Sequence, residues 1–185
     1  MIVVLEGLPA SGKTTIANYL QVNCNFNKVN ESLGYLGGVN LSDDQGEIFQ
    51  ETLKKYNLAK ISKSHSVIDR GYASMLAWDY CAAHLKIADN LSTKNKWVTK
   101  AIKKGLLYEP DIYIYLAISE ETSLTRRPRR ENIKDVWTSV LGLKYCLDYY
   151  AYFFGKEENK KKTIFIDAEM NTKEVIKILK AKLLI

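Results

Sequence analysis

Cysteine, proline and histidine are scarce in this chain, at three, three and two among 185 residues. Cys24, Cys81 and Cys146 are odd in number, widely spaced and free of any C-x-x-C pattern. That excludes disulfide-stapled and zinc-ribbon classes, so reduced cysteines that serve packing are expected. His65 and His84 stand apart from any motif and read as ordinary surface or core residues. Long hydrophobic runs are lacking too. The strongest internal one, IYIYLAI at 112–118, is far too short to cross a bilayer. The chain opens directly on MIVVLE, with no basic segment before it and an apolar run too short for a secretory signal. The expectation is a cytoplasmic protein with no membrane partner.

An apolar fraction of 46% and a charged fraction of 26% suit a globular protein, and 185 residues suffice for a substantial core in a single domain, 1–185. The net charge of +6 suits an anionic partner such as a nucleotide or a nucleic acid. Much of that charge is a lysine surface, in KKK at 160–162 and on the wet face of KEVIKILKAK at 173–182.

Strands are predicted at Ile2–Glu6, Asn27–Glu31, 66–69, Ile112–Ile118 and 163–167. Helices are predicted from Lys13 to about Asn23 and over 45–63, Tyr72–Leu85, 92–104, 120–127, 133–155 and 172–183. Asp43 or Asp44, after a Gly-rich stretch, supplies a cap for the second helix. Strand alternates with helix throughout, and the strands are nearly continuous apolar runs. That pattern gives an α/β three-layer fold of about five parallel strands covered by helices on both faces. Tyr145, Tyr149, Tyr150, Tyr152, Phe153 and Phe154 crowd one helix and read as a packing or dimer face rather than a base-stacking surface.

Gly7-Leu8-Pro9-Ala10-Ser11-Gly12-Lys13-Thr14 fits G-x-x-x-x-G-K-[ST], the P-loop pattern. A chance match in such a chain is roughly a one-in-a-hundred event, and this one also follows a strand and opens a helix. Glycine lets the backbone approach a phosphate chain, and the loop N–H groups and helix N-terminus face the anion. Gly7, Pro9, Ala10, Ser11 and Gly12 are therefore expected to wrap the phosphates of ATP, with Thr15 beside them. Lys13 reaches the β- and γ-phosphates, and the Thr14 hydroxyl ligates Mg²⁺.

Three P-loop classes compete. A GTPase wants N-K-x-D, and the nearest string, Asn95-Lys96-Trp97-Val98, lacks the aspartate. A motor ATPase ends a second key strand in an acidic pair, but here the strand ends Val67-Ile68-Asp69-Arg70. An arginine stands where a water-activating carboxylate would be. That favours a kinase, with Asp69 serving Mg²⁺ and Arg70 the acceptor. Arg126-Arg127-Pro128-Arg129-Arg130 then reads as an arginine lid over about 124–132 that screens the transferring phosphoryl group and excludes water. The alternatives for that cluster are a solvated basic turn or a nucleic-acid contact.

VVLEGLPASGKTT resembles the opening of thymidylate kinases, I-V-L-E-G-x-x-G-x-G-K-T-T. Asp69-Arg70-Gly71-Tyr72-Ala73-Ser74 resembles the start of their D-R-Y-x-x-S-x-x-A-Y segment, and Pro110-Asp111-Ile112 opens a string like their P-D-x-x-x-x-L strand. The Asp167-Ala168 turn resembles the late loop that borders adenine. The match runs over most of the chain and places it near the thymidylate and deoxynucleoside kinases. It implies a P-loop kinase fold with sheet order 2-3-1-4-5, ATP and Mg²⁺ as cofactors, and often a homodimer.

The departures concern the acceptor. Pro9 replaces an acidic loop residue, and Asn30 replaces the arginine that grips a monophosphate's phosphate in R-E-P-G. Gly71 replaces the aromatic of D-R-Y, with Tyr72 one place on to substitute for it. A phosphate acceptor needs a cation and no base, whereas a hydroxyl acceptor needs a base. Glu31 survives at the end of the second strand, where deoxynucleoside kinases keep a glutamate base, and Phe49-Gln50 matches their F-Q, whose amide reads the nucleobase. The expected transfer is from ATP to a nucleoside or nucleoside monophosphate. Lys13, Glu31, Asp69, Arg70, Arg126, Arg127 and Arg130 are its catalytic groups. Arg129, Asp167 and Ala168 border ATP, and Gln50 and Tyr72 join Glu31 and Arg70 at the acceptor. A non-nucleoside hydroxyl or a polynucleotide end is the alternative acceptor.

Overall fold

β1 (Ile2–Glu6) runs through the middle of the sheet, and its last four residues are buried, as a strand covered on both faces must be. The computed structural model describes residues 1–31, 45–127 and 136–185. With β2 (Asn27–Val29), β3 (Ser66–Asp69), β4 (Ile112–Ala117) and β5 (Thr163–Asp167) it forms one five-stranded sheet in the order 2-3-1-4-5. Every pairing is parallel, with Val4 opposite Ile68 on one side and Tyr113 on the other. The predicted fold class and strand order are both met.

The described helices are α1 (Lys13–Cys24), α2 (Gln45–Ile61), α3 (Tyr72–His84), α4 (Leu91–Lys103), α5 (Glu120–Thr125), α6 (Val140–Gly155), α7 (Glu157–Lys160) and α8 (Thr172–Leu183). Asp43 and Asp44, the expected caps of α2, lie outside the described residues. β2 leaves the ladder after Val29 instead of running to Glu31, which frees the Glu31 side chain to turn toward β3. The helix predicted over 133–155 is shorter, and 133–135 lie outside the described residues. Val136–Thr138 is a 3₁₀ turn, and α6 starts where Ser139 caps it, its Oγ accepting the Gly142 N–H at 2.9 Å. No side chain fits at Gly142, because a Cβ there would run into the Val136 carbonyl.

The aromatic crowd on α6 does pack. Tyr149, Tyr150, Phe153 and Phe154 are buried, with Tyr113 of β4 edge-on to both phenylalanines, and Tyr152 alone of that stretch is 61% exposed. Each buried ring contributes about 2 kcal/mol of apolar burial. Cys81 and Cys146 correct the expectation of separate thiols. The structure pairs them as a disulfide between α3 and α6, Cα atoms 5.9 Å apart, and leaves Cys24 free. Their wide spacing in sequence hid a contact that helix packing creates. Among the described residues, no helix is long and apolar enough to cross a membrane.

Candidate active site

β1 delivers the chain into the loop at Gly7, whose φ of +137° and closeness to the Leu116 carbonyl both exclude a side chain. Ala10 and Gly12 also adopt positive φ, and α1 opens at Lys13 with Gly12 as its cap. The buried Lys13 ammonium folds back into the loop. Its Nζ donates to the Gly7 carbonyl at 3.0 Å, the Leu8 carbonyl at 2.5 Å and Ser11 Oγ at 2.9 Å. Burial first, and then the Arg70 guanidinium, hold its pKa well below the usual lysine range. A polyanion would favour the charged form and give Nζ better acceptors. Pro9, where an acidic residue was absent, offers its carbonyl to Ser123 Oγ of α5 at 2.8 Å.

β3 ends at Asp69 beside this loop. Thr14 Oγ1 donates to Asp69 Oδ2 at 2.6 Å, while the buried Oδ1 has no hydrogen-bond partner among the described residues. An orphaned carboxylate oxygen next to a hydroxyl, at a phosphate loop, is a donor set of hard oxygens that fits Mg²⁺.

Arg70 follows with φ +60°, rare for a residue with a side chain. Its Nε pairs with Glu31 Oε1 at 2.6 Å, and its Nη1 donates to the Gly7 carbonyl at 3.2 Å and Ser74 Oγ at 3.3 Å. The Trp137 ring covers its guanidinium carbon at 5.2 Å. Ala10, Gly12, Lys13, Thr14, Thr15, Glu31 and Arg70 line one cavity of about 260 Å³. Residues from three separate parts of the sequence thus share one wall.

Sequence reasoning missed a second layer beneath Arg70. Glu6 is fully buried; its carboxylate accepts the Gly71 N–H at 2.9 Å and the Ser74 hydroxyl. Burial raises its pKa to about 7 against the opposing hydrogen bonds of Ser74 and Gly71 and the charges of Arg70 and Lys13. Lys55 of α2 donates to the carbonyls of Asp69 at 3.0 Å and Arg70 at 2.6 Å. A carboxylate closing a buried apolar strand was the available signal for Glu6. Nothing in the sequence separates Lys55 from the lysines around it.

No family model matches the sequence, and no curated protein sequence matches it. Solved structures do match. A deoxyadenosine kinase from M. mycoides, with products dCMP and dCDP bound, superposes with a TM-score of 0.76 at 19% identity, over 99% of this chain and 98% of that one. The same enzyme with dATP gives 0.76 at 18%, over the whole of both chains, and with dCTP 0.69 at 17%, over 99% and 98%. The chain shares its fold with these kinases.

Within this fold, the remaining predicted residues fall in different places. Tyr72 points into the core, where its hydroxyl accepts from Tyr113 at 2.6 Å and Phe153 meets its ring edge-on. The tyrosine beside Gly71 is instead Tyr56 of α2, whose hydroxyl lies too close for any side chain at Gly71 and accepts the Tyr72 N–H at 3.4 Å. Gln50 is exposed and does not line the cavity, although Phe49 next to it stacks on Trp97 at 4.2 Å. Arg126 donates to the Ala168 carbonyl at 2.8 Å and the Glu169 carbonyl at 3.0 Å, so it grips the turn after β5. Arg127 donates to the Trp137 carbonyl at 2.5 Å. Neither lines the 260 Å³ cavity. Asp167 caps its own turn through the Glu169 N–H at 2.9 Å, and Ala168 is buried. Arg129 and Arg130 lie outside the described residues.

Proposed function

We propose that this chain is an ATP- and Mg²⁺-dependent kinase that phosphorylates a sugar hydroxyl of a deoxynucleoside. The observation that carries this reading is the Glu31–Arg70 ion pair on the wall of the P-loop cavity. A carboxylate held there by a guanidinium is a base in search of a hydroxyl proton. Asn30, beside it, offers no cation for an acceptor that is already a phosphate. The deoxyadenosine kinases that share the fold support the same acceptor class.

Bound ATP with Mg²⁺ supplies the phosphoryl group and neutralises part of its charge. The protein does the rest. Lys13 exchanges its loop carbonyls for phosphate oxygens, and the loop N–H groups fix the chain in line. Thr14 and Asp69 hold the cation side. Glu31 takes the acceptor's proton, and Arg70 holds Glu31 in place. The arginines of 126–130 extend the reading to a lid, with Arg126 anchoring its first end on the β5 turn. The resemblance also carries a homodimer into this reading, which sedimentation velocity tests.

The deciding experiment is ATP-to-ADP conversion with Mg²⁺ across nucleosides, their 5′-monophosphates, an oligonucleotide and simple sugar alcohols. Turnover on deoxynucleosides is expected. Turnover confined to monophosphates would remove Glu31 from the role of base.

A further inference from the structure

Arg70 keeps a conformation that a residue with a side chain avoids, and two buried charges from two different elements grip the backbone around it. Lys55 of α2 donates from one side to the carbonyls of Asp69 and Arg70, at 3.0 and 2.6 Å. Glu6 of β1 accepts the Gly71 N–H from the other side at 2.9 Å. Its second oxygen accepts a hydrogen bond from the Ser74 hydroxyl, and Ser74 Oγ in turn accepts from Arg70 Nη1 at 3.3 Å and lies 3.0 Å from the Tyr150 hydroxyl. Glu6 is 0% exposed and Lys55 6%, and neither lines the P-loop cavity. We infer that Glu6 and Lys55 are positioning residues, a clamp on the Asp69-Arg70-Gly71 backbone that aims the Arg70 guanidinium at Glu31 and the Asp69 carboxylate at Thr14. The inference rests on the kinase reading above and adds to it the parts that hold its geometry.

Physical chemistry favours this over a purely architectural role. A buried carboxylate and a buried ammonium are costly to desolvate, and apolar residues of similar size hold a core together as well or better. Here both groups hydrogen-bond the backbone of one short turn, and Glu6 holds the Ser74 hydroxyl besides. That turn carries a positive-φ arginine between the cation ligand and a glycine. At Gly71, the Tyr56 hydroxyl, Val4 and Glu6 Oε1 fill the space a side chain would need, so the Gly71 N–H is presented directly to Glu6. Left-handed backbone at a non-glycine persists only where its surroundings over-determine it, and such strain collects where side chains must be aimed. Without the clamp, Arg70 would relax toward ordinary φ and swing its guanidinium from Glu31.

The test compares the full chain with Glu6→Leu, Glu6→Gln, Lys55→Met and Lys55→Arg, and with Lys54→Met, an exposed neighbour on α2, as control. Steady-state kinetics with ATP, Mg²⁺ and a deoxynucleoside are read beside melting temperatures and crystal structures. Glu6→Leu and Lys55→Met are expected to stay folded, to lose about tenfold or more in kcat, and to keep the KM for ATP within about twofold, since the phosphate loop is untouched. Glu6→Gln and Lys55→Arg, which keep part of the hydrogen bonding, should recover most of that loss. Lys54→Met should match the parent. In the crystals of the first two variants Arg70 Nε should lie beyond ion-pair distance of Glu31. Unchanged kcat with the Arg70–Glu31 pair intact would overturn the clamp. A parent chain that phosphorylates no acceptor would instead overturn the kinase reading, and the crystal structures would then judge the clamp by themselves. If Lys55→Met does not fold, Glu6→Leu and Lys55→Arg decide by the same readouts.

Discussion

The Thr14 hydroxyl donates to Asp69 Oδ2 at 2.6 Å, tying the first turn of α1 to the end of β3 at the point where a cation would sit. The other carboxylate oxygen, buried and unpartnered among the described residues, is free to ligate it. Asp69→Asn keeps the shape and removes the charge. It should raise the Mg²⁺ concentration needed for half-maximal turnover by about ten- to a hundredfold, as a Mg²⁺ titration at saturating ATP would show. An unchanged Mg²⁺ requirement would move the cation away from Asp69.

Lys13 makes three hydrogen bonds inside the loop, all to groups that phosphate oxygens outcompete. Lys13→Ala should lower kcat by about a thousandfold or more while the circular dichroism spectrum stays that of the parent. Turnover at the parent rate would refute the phosphate-loop assignment.

Glu31→Gln removes a base and leaves a hydrogen-bonding side chain in its place. Turnover on deoxynucleosides should fall about a hundredfold or more, with ATP affinity by calorimetry unchanged. Activity on a monophosphate, if any, should be spared, because such an acceptor carries no proton for Glu31 to take.

Glu6 ties pH to stability. Its folded-state pKa is raised by burial from 4.5 to about 7, so the folded chain holds this proton more tightly than the unfolded one. Stability should therefore fall as pH rises from 4.5 to about 7, by at most about 3 kcal/mol from this group, and level off above that. Glu6→Gln should flatten that part of the curve. Urea midpoints measured at intervals across the window give the comparison, and parallel curves for the two proteins would show that Glu6 does not titrate there.

Alternating apolar strands and helices were enough to read a parallel sheet of about five strands, because strands covered on both faces need long apolar runs and helical crossovers, and both are local in sequence; the order of the strands came from the resemblance to the thymidylate kinases. The loop of Gly7 to Thr14 was legible for the same reason: its chemistry lies within eight consecutive residues. Asp69 and Arg70 were readable from their place at a strand end. Packing decided what local pattern could not. Tyr72 and Tyr56 are chemically alike, yet packing sends the first into the core against Tyr113 and brings the second to Gly71. Cys81 and Cys146 meet only because α3 lies on α6. Glu6 and Lys55 reach the same turn only when a strand end and a helix face close on it. The sequence by itself determined the parallel strands and the phosphate loop, since both follow from short-range pattern. Only the tertiary structure decided which carboxylates and cations face one another, since that depends on contacts between residues far apart in the chain.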